Sequence, residues 1–472
     1  MRYPIGGGFY EAHSPVVSHQ TCTNFYVSIT QTATPFDKVL IGCAGIKQLA
    51  TSGTGSGNMN RGSLVFEDAP YFVNGITLYR LNRTATDVYN LETIGTITGS
   101  GPVSMAQNGR QLMIVAPGSK GYIYDGTLTE ITDSDFIASG LPQTVVFLDG
   151  YFVVTTDQKK FIVSALNDGT SWDALDFGSA ETDPDSIVAG HVLRNQLMIF
   201  GTLTLEPFNN IGGAGFPFQR VPGAVVDKGL SSPFAVVSSN DVMMWLGAGE
   251  NEQPSIWRSA GRQPEKIATT AIDLAIQSHT DAEISNAYAW TYGDAGAFFT
   301  GFVIGDDTFI HDSVSGQWHE RKSYINGDLG RWRANSMVKA YGEILVGDNQ
   351  DGRIGQLDFD TYGEYGNDIF RQFSVAPLDT EGHEGFVSEL ELTMDAGVGN
   401  STVTDPVVNM DYTDNGYTWS NPREMPIGKK GEYERRAIWR RLGKIPRYRT
   451  FRFTITDQVK CNVNALGLEI HT

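Results

Sequence analysis

Long apolar runs are missing from this 472-residue chain: no stretch approaches the 18 or more apolar residues that a membrane helix needs. The first residues, Met1-Arg2-Tyr3-Pro4-Ile5-Gly6-Gly7-Gly8, lack the apolar segment of a secretory signal, so export and membrane insertion are not expected. Cysteine is scarce and odd in number. Cys22, Cys43 and Cys461 show no C-x-x-C spacing and read as buried or free thiols of a reducing cytoplasm, not as a disulfide framework. Positive charge is short as well: 35 Lys+Arg against 54 Asp+Glu leave a net charge of −19, which argues against an ordinary nucleic-acid-binding surface.

Motifs that carry chemistry are equally thin. The eight histidines are scattered, no H-E-x-x-H occurs, and His311 and His319 merely flank a predicted hairpin turn. Gly53-Thr54-Gly55-Ser56-Gly57 fits neither a dinucleotide fingerprint nor a P-loop and reads as a loop. No G-x-S-x-G elbow is present. Asp348-Asn349-Gln350-Asp351-Gly352 lacks the acidic third position and distal Glu of a calcium loop and is expected to be a turn between strands. No residue is therefore assigned as catalytic, cofactor-binding or metal-ligating.

What the chain has is glycine, 53 of them, and 40% apolar residues, enough for a core and for many short strands joined by turns. A pattern recurs: apolar strand, Gly/Asn/Asp turn, second strand, polar loop. Its copies start at Tyr71, Gln111, Val145, Gln196, Asp241, Ala297 and Tyr341, about 45 residues apart. That is the length of one four-stranded propeller blade, and the count fits six or seven blades. Helix signal is limited to Thr270–276, with Thr270 as its cap, and to a following Asp281-Ala282-Glu283-Ile284 that either extends it or forms a second helix.

Near residue 360 the pattern stops. Alternating segments follow at 389–394, 407–412, 450–455 and 465–470, as in a small antiparallel sandwich. The expected fold is all-β: a β-propeller of six or seven blades with an extended N-terminal segment over 1–365, then a β-sandwich-like domain over 366–472.

Two features hint at function. Asp414-Asn415-Gly416-Tyr417-Thr418-Trp419, and more weakly Asn167–Trp172, resemble the Asp-box hairpin of sialidase-like propellers, where the box is a structural turn; a hairpin turn with a packed Trp is the plainer reading. The second is electrostatic. Residues 429–472 hold 11 Lys+Arg and 4 Asp+Glu, a net of +7, leaving −26 for the rest. Arg435, Arg436, Trp439, Arg440, Arg441, Arg447 and Arg449 are the candidate partner-interface residues. Contact with DNA phosphates, docking on an acidic partner such as a neighbouring copy, and a solvated sheet face are the three readings.

The run Tyr433-Glu434-Arg435-Arg436-Ala437-Ile438-Trp439-Arg440-Arg441-Leu442-Gly443-Lys444-Ile445, followed by Phe451-Arg452-Phe453, resembles the ending of podovirus packaged-DNA stabilisation proteins, the tail hub or nozzle of short-tailed bacteriophages. Asp168–Phe177, Pro184–Val188, Phe216–Arg220, Val242–Gly247, Trp318–Arg321, Asn24–Val27 and Ala33-Thr34-Pro35 before Gly45-Ile46 are similar to the same family in the same order. The resemblance implies a non-enzymatic virion protein of the tail, made in the host cytoplasm. It would form a homo-oligomeric ring, a hexamer, below the portal and adaptor rings as a head–tail connector. It would extend the DNA channel, retain genomic DNA that passes without sequence-specific binding until ejection, and anchor a needle or plug and tailspikes or fibres. A propeller glycosidase of sialidase type, or a lectin-like receptor-binding module, is the alternative.

Overall fold

The computed structural model describes residues 2–471 except 16, 181–184, 213, 214, 240, 262, 381 and 382; Pro184, one of the residues that carry the resemblance, lies outside the described residues. Among the described residues seven four-stranded blades follow one another, at 60–96, 104–130, 142–179, 187–220, 236–266, 288–320 and, for the seventh, 334–358 together with Gly45–Thr51; blades six and seven are parts of larger sheets. Six of the seven repeat starts mark the second strand of a blade, while Val145 lies in the first strand of blade three. The second strands are short apolar runs buried on both faces, such as Leu112–Val115 and the Leu197–Phe200 part of Gln196–Gly201, because each blade is covered on both sides by its neighbours. Tight turns join them: at Asp149-Gly150 and Tyr341-Gly342 both residues have positive φ, which suits the twist of the hairpin.

A separate apolar cluster fills the gap between most neighbouring blades. Tyr71 and Val73 meet Leu112 and Ile114 between blades one and two; Trp290 and Phe299 meet Trp332 and Val346 between six and seven. The first strands pack on one another around the axis, blade one touching two and seven touching one, so the ring is closed. Closure depends on Gly45–Thr51, which pairs antiparallel with Arg353–Asp358 as the fourth strand of blade seven.

Polar groups clamp this junction. Buried Glu364 accepts from Trp332 Nε1 at 2.7 Å, from Ser323 Oγ at 2.5 Å and from Arg321 Nη2 at 3.4 Å. Arg321 Nη2 also donates to the Ala44 carbonyl at 3.0 Å, just before the closing strand. Arg333 and Asp348 form a fully buried pair, Nε to Oδ2 2.8 Å.

Blade six does not end at its fourth strand. Trp318–Glu320 bridges in parallel to Cys22–Thr23, and the sheet continues through Arg371–Ser374, Tyr448–Ile455, Val407–Thr413 and Arg423–Pro426. A second sheet orders Ala437–Ile445, Gly385–Met394, Asn462–His471, Lys38–Gly42 and Phe25–Ile29. Phe373, Phe451 and Phe453 of the first face Leu390, Leu392 and Leu466 of the second in one core, a sandwich that includes N-terminal strands. Arg2 pairs with Gly467 across almost the whole chain.

The described residues hold three short α-helices, α1 (Ser134–Ala138), α2 (Thr270–Gln277) and α3 (Asp281–Ser285), and one 3-10 turn at Ser56–Asn58. The cap of α2 is Thr269 and not Thr270; its hydroxyl accepts from Ile272 N. α3 is separate, because Thr280 and Glu283 form a capping box that starts a new helix.

Where the sandwich joins blade six, Glu320 is 7% exposed; Thr23 Oγ1 donates to it at 3.1 Å and Lys322 Nζ lies 3.4 Å away. Burial pushes its carboxyl up to about 7; Asp307 and Glu11 push the same way, while Lys322 and the Thr23 bond pull it down. A carboxyl raised on folding favours the folded state fully below its unfolded value of 4.5, and this contribution is lost as pH rises through about 7. The expected loss is on the order of 3 kcal/mol. Denaturant titrations between pH 4.5 and 8 check this: Glu320→Gln is expected to flatten that slope and to be more stable than wild type above pH 7.

Candidate interaction surface

The basic segment builds the edge of the sandwich's second sheet. Ala437–Ile445 is its outermost strand, paired on one side only with Gly385–Met394, in the register Leu390 opposite Trp439 and Glu389 opposite Arg440. A bulge at Arg441 and Leu442, with Arg441 at φ 58 and Gly443 at φ 80, interrupts the ladder. Bulges and charges of this kind protect an open edge from indiscriminate strand addition.

The seven candidate residues separate into three groups. Trp439 and Arg449 lie inside the sandwich. Trp439 packs on Phe453 and donates Nε1 to the Arg423 carbonyl at 2.9 Å. Arg449, 2% exposed, grips both oxygens of Asp414 at 2.6 and 2.8 Å, donates to the carbonyls of Leu442 and Lys444, and stacks on Tyr412 at 3.9 Å. Arg436 and Arg440 are exposed but paired: Arg436 with both oxygens of Glu391 at 2.7 and 2.5 Å, Arg440 with Glu389 at 2.9 Å. The Arg436 guanidinium holds the Glu391 carboxyl below its usual range. Arg435, Arg441 and Arg447 are exposed, and no carboxylate pairs with them among the described residues. Lys430 shares that condition, whereas Lys444 pairs with Glu384, Arg452 with Asp411 and Lys460 with Asp395. The unpaired cations sit along one edge strand and the loops at its two ends.

The Asp-box resemblance resolves into local structure. Asp414 is the partner of Arg449; the Asn415 side chain accepts from Tyr417 N and Thr418 N; Trp419 lies under Arg452 at 3.7 Å. In the weaker copy, Trp172 is buried against Phe136 and donates Nε1 to the Gly169 carbonyl. Asp348, the first residue of the Asp348–Gly352 segment expected to be a turn, ends the strand Glu343–Asp348 and is the buried partner of Arg333; the turn to the next strand of blade seven follows it. His311 and His319 sit in aromatic surroundings beside Trp318, Tyr26 and Phe299, and burial lowers both, His311 to about 4 and His319 to about 3.

A cavity of about 420 Å³ opens among first strands and inter-blade loops, lined by Asn60, Arg61, Glu283, Tyr288 and Arg331. Pattern reading missed it, because its residues come from distant parts of the chain. These groups do not converge as a glycosidase site would need. Arg61 donates to the carbonyls of Gly75, Ile97, Thr98 and Gly101, Glu283 serves the α3 capping box, and Arg331 binds Asn335.

A closed propeller whose sixth blade runs on into a sandwich with a charged edge defines a two-part all-β scaffold. Family models for "Bacteriophage P22 Gp10, beta-propeller" and "Bacteriophage P22 Gp10, beta-sandwich" match residues 1–362 and 371–471, so the chain belongs to the bacteriophage P22 Gp10 family. The chain is thereby similar to a structural protein of the phage tail hub. The tail hub protein gp10 of Salmonella phage P22 is 23% identical over 395 residues, covering 80% of this chain and 81% of that protein. Among solved structures, the WD40 propeller domain of Doa1 matches with a TM-score of 0.39 and 12% identity, over 66% of this chain and 97% of its own. The N-terminal domain of Nup159 matches with a TM-score of 0.39 and 10% identity, over 72% and 99%. No helix among the described residues is long and apolar enough to cross a membrane.

Removal of Arg449 leaves Asp414 and two carbonyls without their partner, so Arg449→Ala is expected to cost about 3 kcal/mol of unfolding free energy. Arg441→Ala and Arg447→Ala, at exposed positions, are expected to stay within about 0.5 kcal/mol of wild type. Chemical denaturation of the three variants checks this.

Proposed function

We propose that the chain is a tail-hub subunit that assembles as a ring, taken as a hexamer, below the portal and adaptor. There it extends the DNA channel, retains the packaged genome, and offers seats to a needle or plug and to tailspikes or fibres. The observation that carries the reading is family membership across both parts of the chain, 1–362 and 371–471. The continuous sheet from blade six into the sandwich supports it, since a connector under the pressure of packaged DNA needs its parts joined rigidly.

The charge distribution fits the same role. Outside residues 429–472 the chain carries a net −26. A wall of that sign repels phosphate and lets DNA slide through without sticking. The unpaired arginines of the sandwich edge lie apart from that body and suit protein partners of opposite charge.

Negative-stain microscopy of the recombinant chain mixed with adaptor–portal complex tests the proposal. A ring that adds to the distal end of the adaptor is the expected result and gives the symmetry directly. A chain that never joins the adaptor, together with turnover of a fluorogenic sialoside lost in Arg331→Ala, would replace it with the glycosidase reading.

A further inference from the structure

On blade three the outermost strand, Asp168–Ser179, leaves its neighbour. Trp172 is opposite Ser164 and Phe177 opposite Ile162, so residues 173–176 stand out against a single partner residue as a wide bulge. This knuckle is built, not loose. The N-cap of α1, Asp133, receives Asp135 N and Phe136 N on one oxygen and Trp172 N on the other; Asp135 receives Ala174 N; Asp173 receives Leu175 N. The bulge presents Asp173, Leu175 at 80% exposure and Asp176, with Phe177 at 45% exposure beside them. Ile137 of α1 is 61% exposed. A leucine displayed this openly on a braced backbone, between two carboxylates, has the make-up of a contact point. The knuckle lies in a strongly acidic part of the sequence: residues 125–185 hold 12 Asp+Glu and 2 Lys+Arg. Its charge is also crowded, since burial and then the neighbouring Asp173 raise the Asp176 carboxyl above its usual value. A cation brought to this surface relieves that crowding.

The complementary surface is on the same chain but out of its reach. Blade three is three blades from blade six and three from blade seven around the ring, and the sandwich is attached at blade six. The unpaired arginines of the sandwich edge therefore lie on the opposite side of the molecule from the acidic knuckle. Two complementary patches on opposite sides of one chain pair between copies head to tail, the heterologous arrangement that gives a ring when the rotation closes. Both edges are bulged, so a backbone ladder between them is blocked, and recognition falls to side chains.

We infer that the blade-three knuckle, Asp173, Leu175, Asp176 and Phe177, is the docking surface for Arg435, Arg441 and Arg447 on the sandwich edge of a second copy. This pairing rests on the tail-hub reading above and specifies which surfaces join its subunits.

Charge reversal on the full-length chain tests it. Mass photometry is run on wild type, on Arg441→Glu/Arg447→Glu, on Asp173→Lys/Asp176→Lys, on a chain with all four changes, and on an equimolar mixture of the two double variants. Thermal unfolding confirms folding; should a reversed pair fail to fold, Arg441→Gln/Arg447→Gln and Asp173→Asn/Asp176→Asn replace it. Each double variant alone is expected to lose ring population by at least about tenfold, since like charges then face each other. The fourfold variant and the mixture are expected to recover rings, because every junction in them again joins opposite charges. Rings that form equally well in either double variant, or that return in neither recombination, overturn this pairing and leave the hub reading standing. A wild-type chain that stays monomeric both alone and with adaptor–portal complex overturns both.

Discussion

The pairing of Gly45–Thr51 with Arg353–Asp358 is what turns seven stacked sheets into a closed ring, and most of the molecule's architecture is arranged around it. Strand faces buried between blades are stable only if the first and last blades also meet. The chain achieves this with a strand from before blade one. That choice leaves the strands before it outside the ring, where Arg2–Tyr3, Cys22–Thr23, Phe25–Ile29 and Lys38–Gly42 join the C-terminal strands in a sandwich. The buried network of Arg321, Glu364, Trp332 and Ser323 secures the same place and reaches the Ala44 carbonyl at the entrance of the closing strand. Closure, N-terminal packing and attachment of the sandwich are thus one structural event.

Charge in this chain is sorted by use. Inside, the buried guanidiniums of Arg333 and Arg449 are matched to the carboxylates of Asp348 and Asp414, and these pairs hold turns and strand ends in place, while buried Arg61 is held by backbone carbonyls. On the sandwich edge, Arg436 and Arg440 are satisfied by their cross-strand neighbours Glu391 and Glu389, contacts worth little to stability at such exposure. Arg435, Arg441 and Arg447 remain for other molecules. A run of basic residues in one dimension becomes a structural pair, a neutralised pair and a free set in three.

Much of the fold was legible in the residues because propeller chemistry is local. Apolar second strands such as Leu112–Val115, and turns such as Asp149-Gly150, carry their own signals of burial and positive φ. The number of blades was not, for blade seven takes its outer strand from residues 45–51 and blade three bulges at 173–176, which blurs the repeat. The N-terminal strands of the sandwich left no local trace either; a contact such as Arg2 with Gly467 has no sequence neighbourhood. At the candidate surface, strict alternation would place Trp439 and Arg441 on one face. The bulge at Arg441 and Leu442 buries Trp439 and Leu442 and exposes Arg440 and Arg441 together, so the exposed set was visible only in the structure.

If closure and the shared sheet make the propeller and the sandwich one cooperative unit, differential scanning calorimetry of the full-length chain decides the matter. The structure predicts a single unfolding transition, in which a destabilising change in the sandwich core, such as Phe453→Ala, lowers the melting temperature of the whole chain. Two transitions, with only one of them moved by that change, would contradict the account.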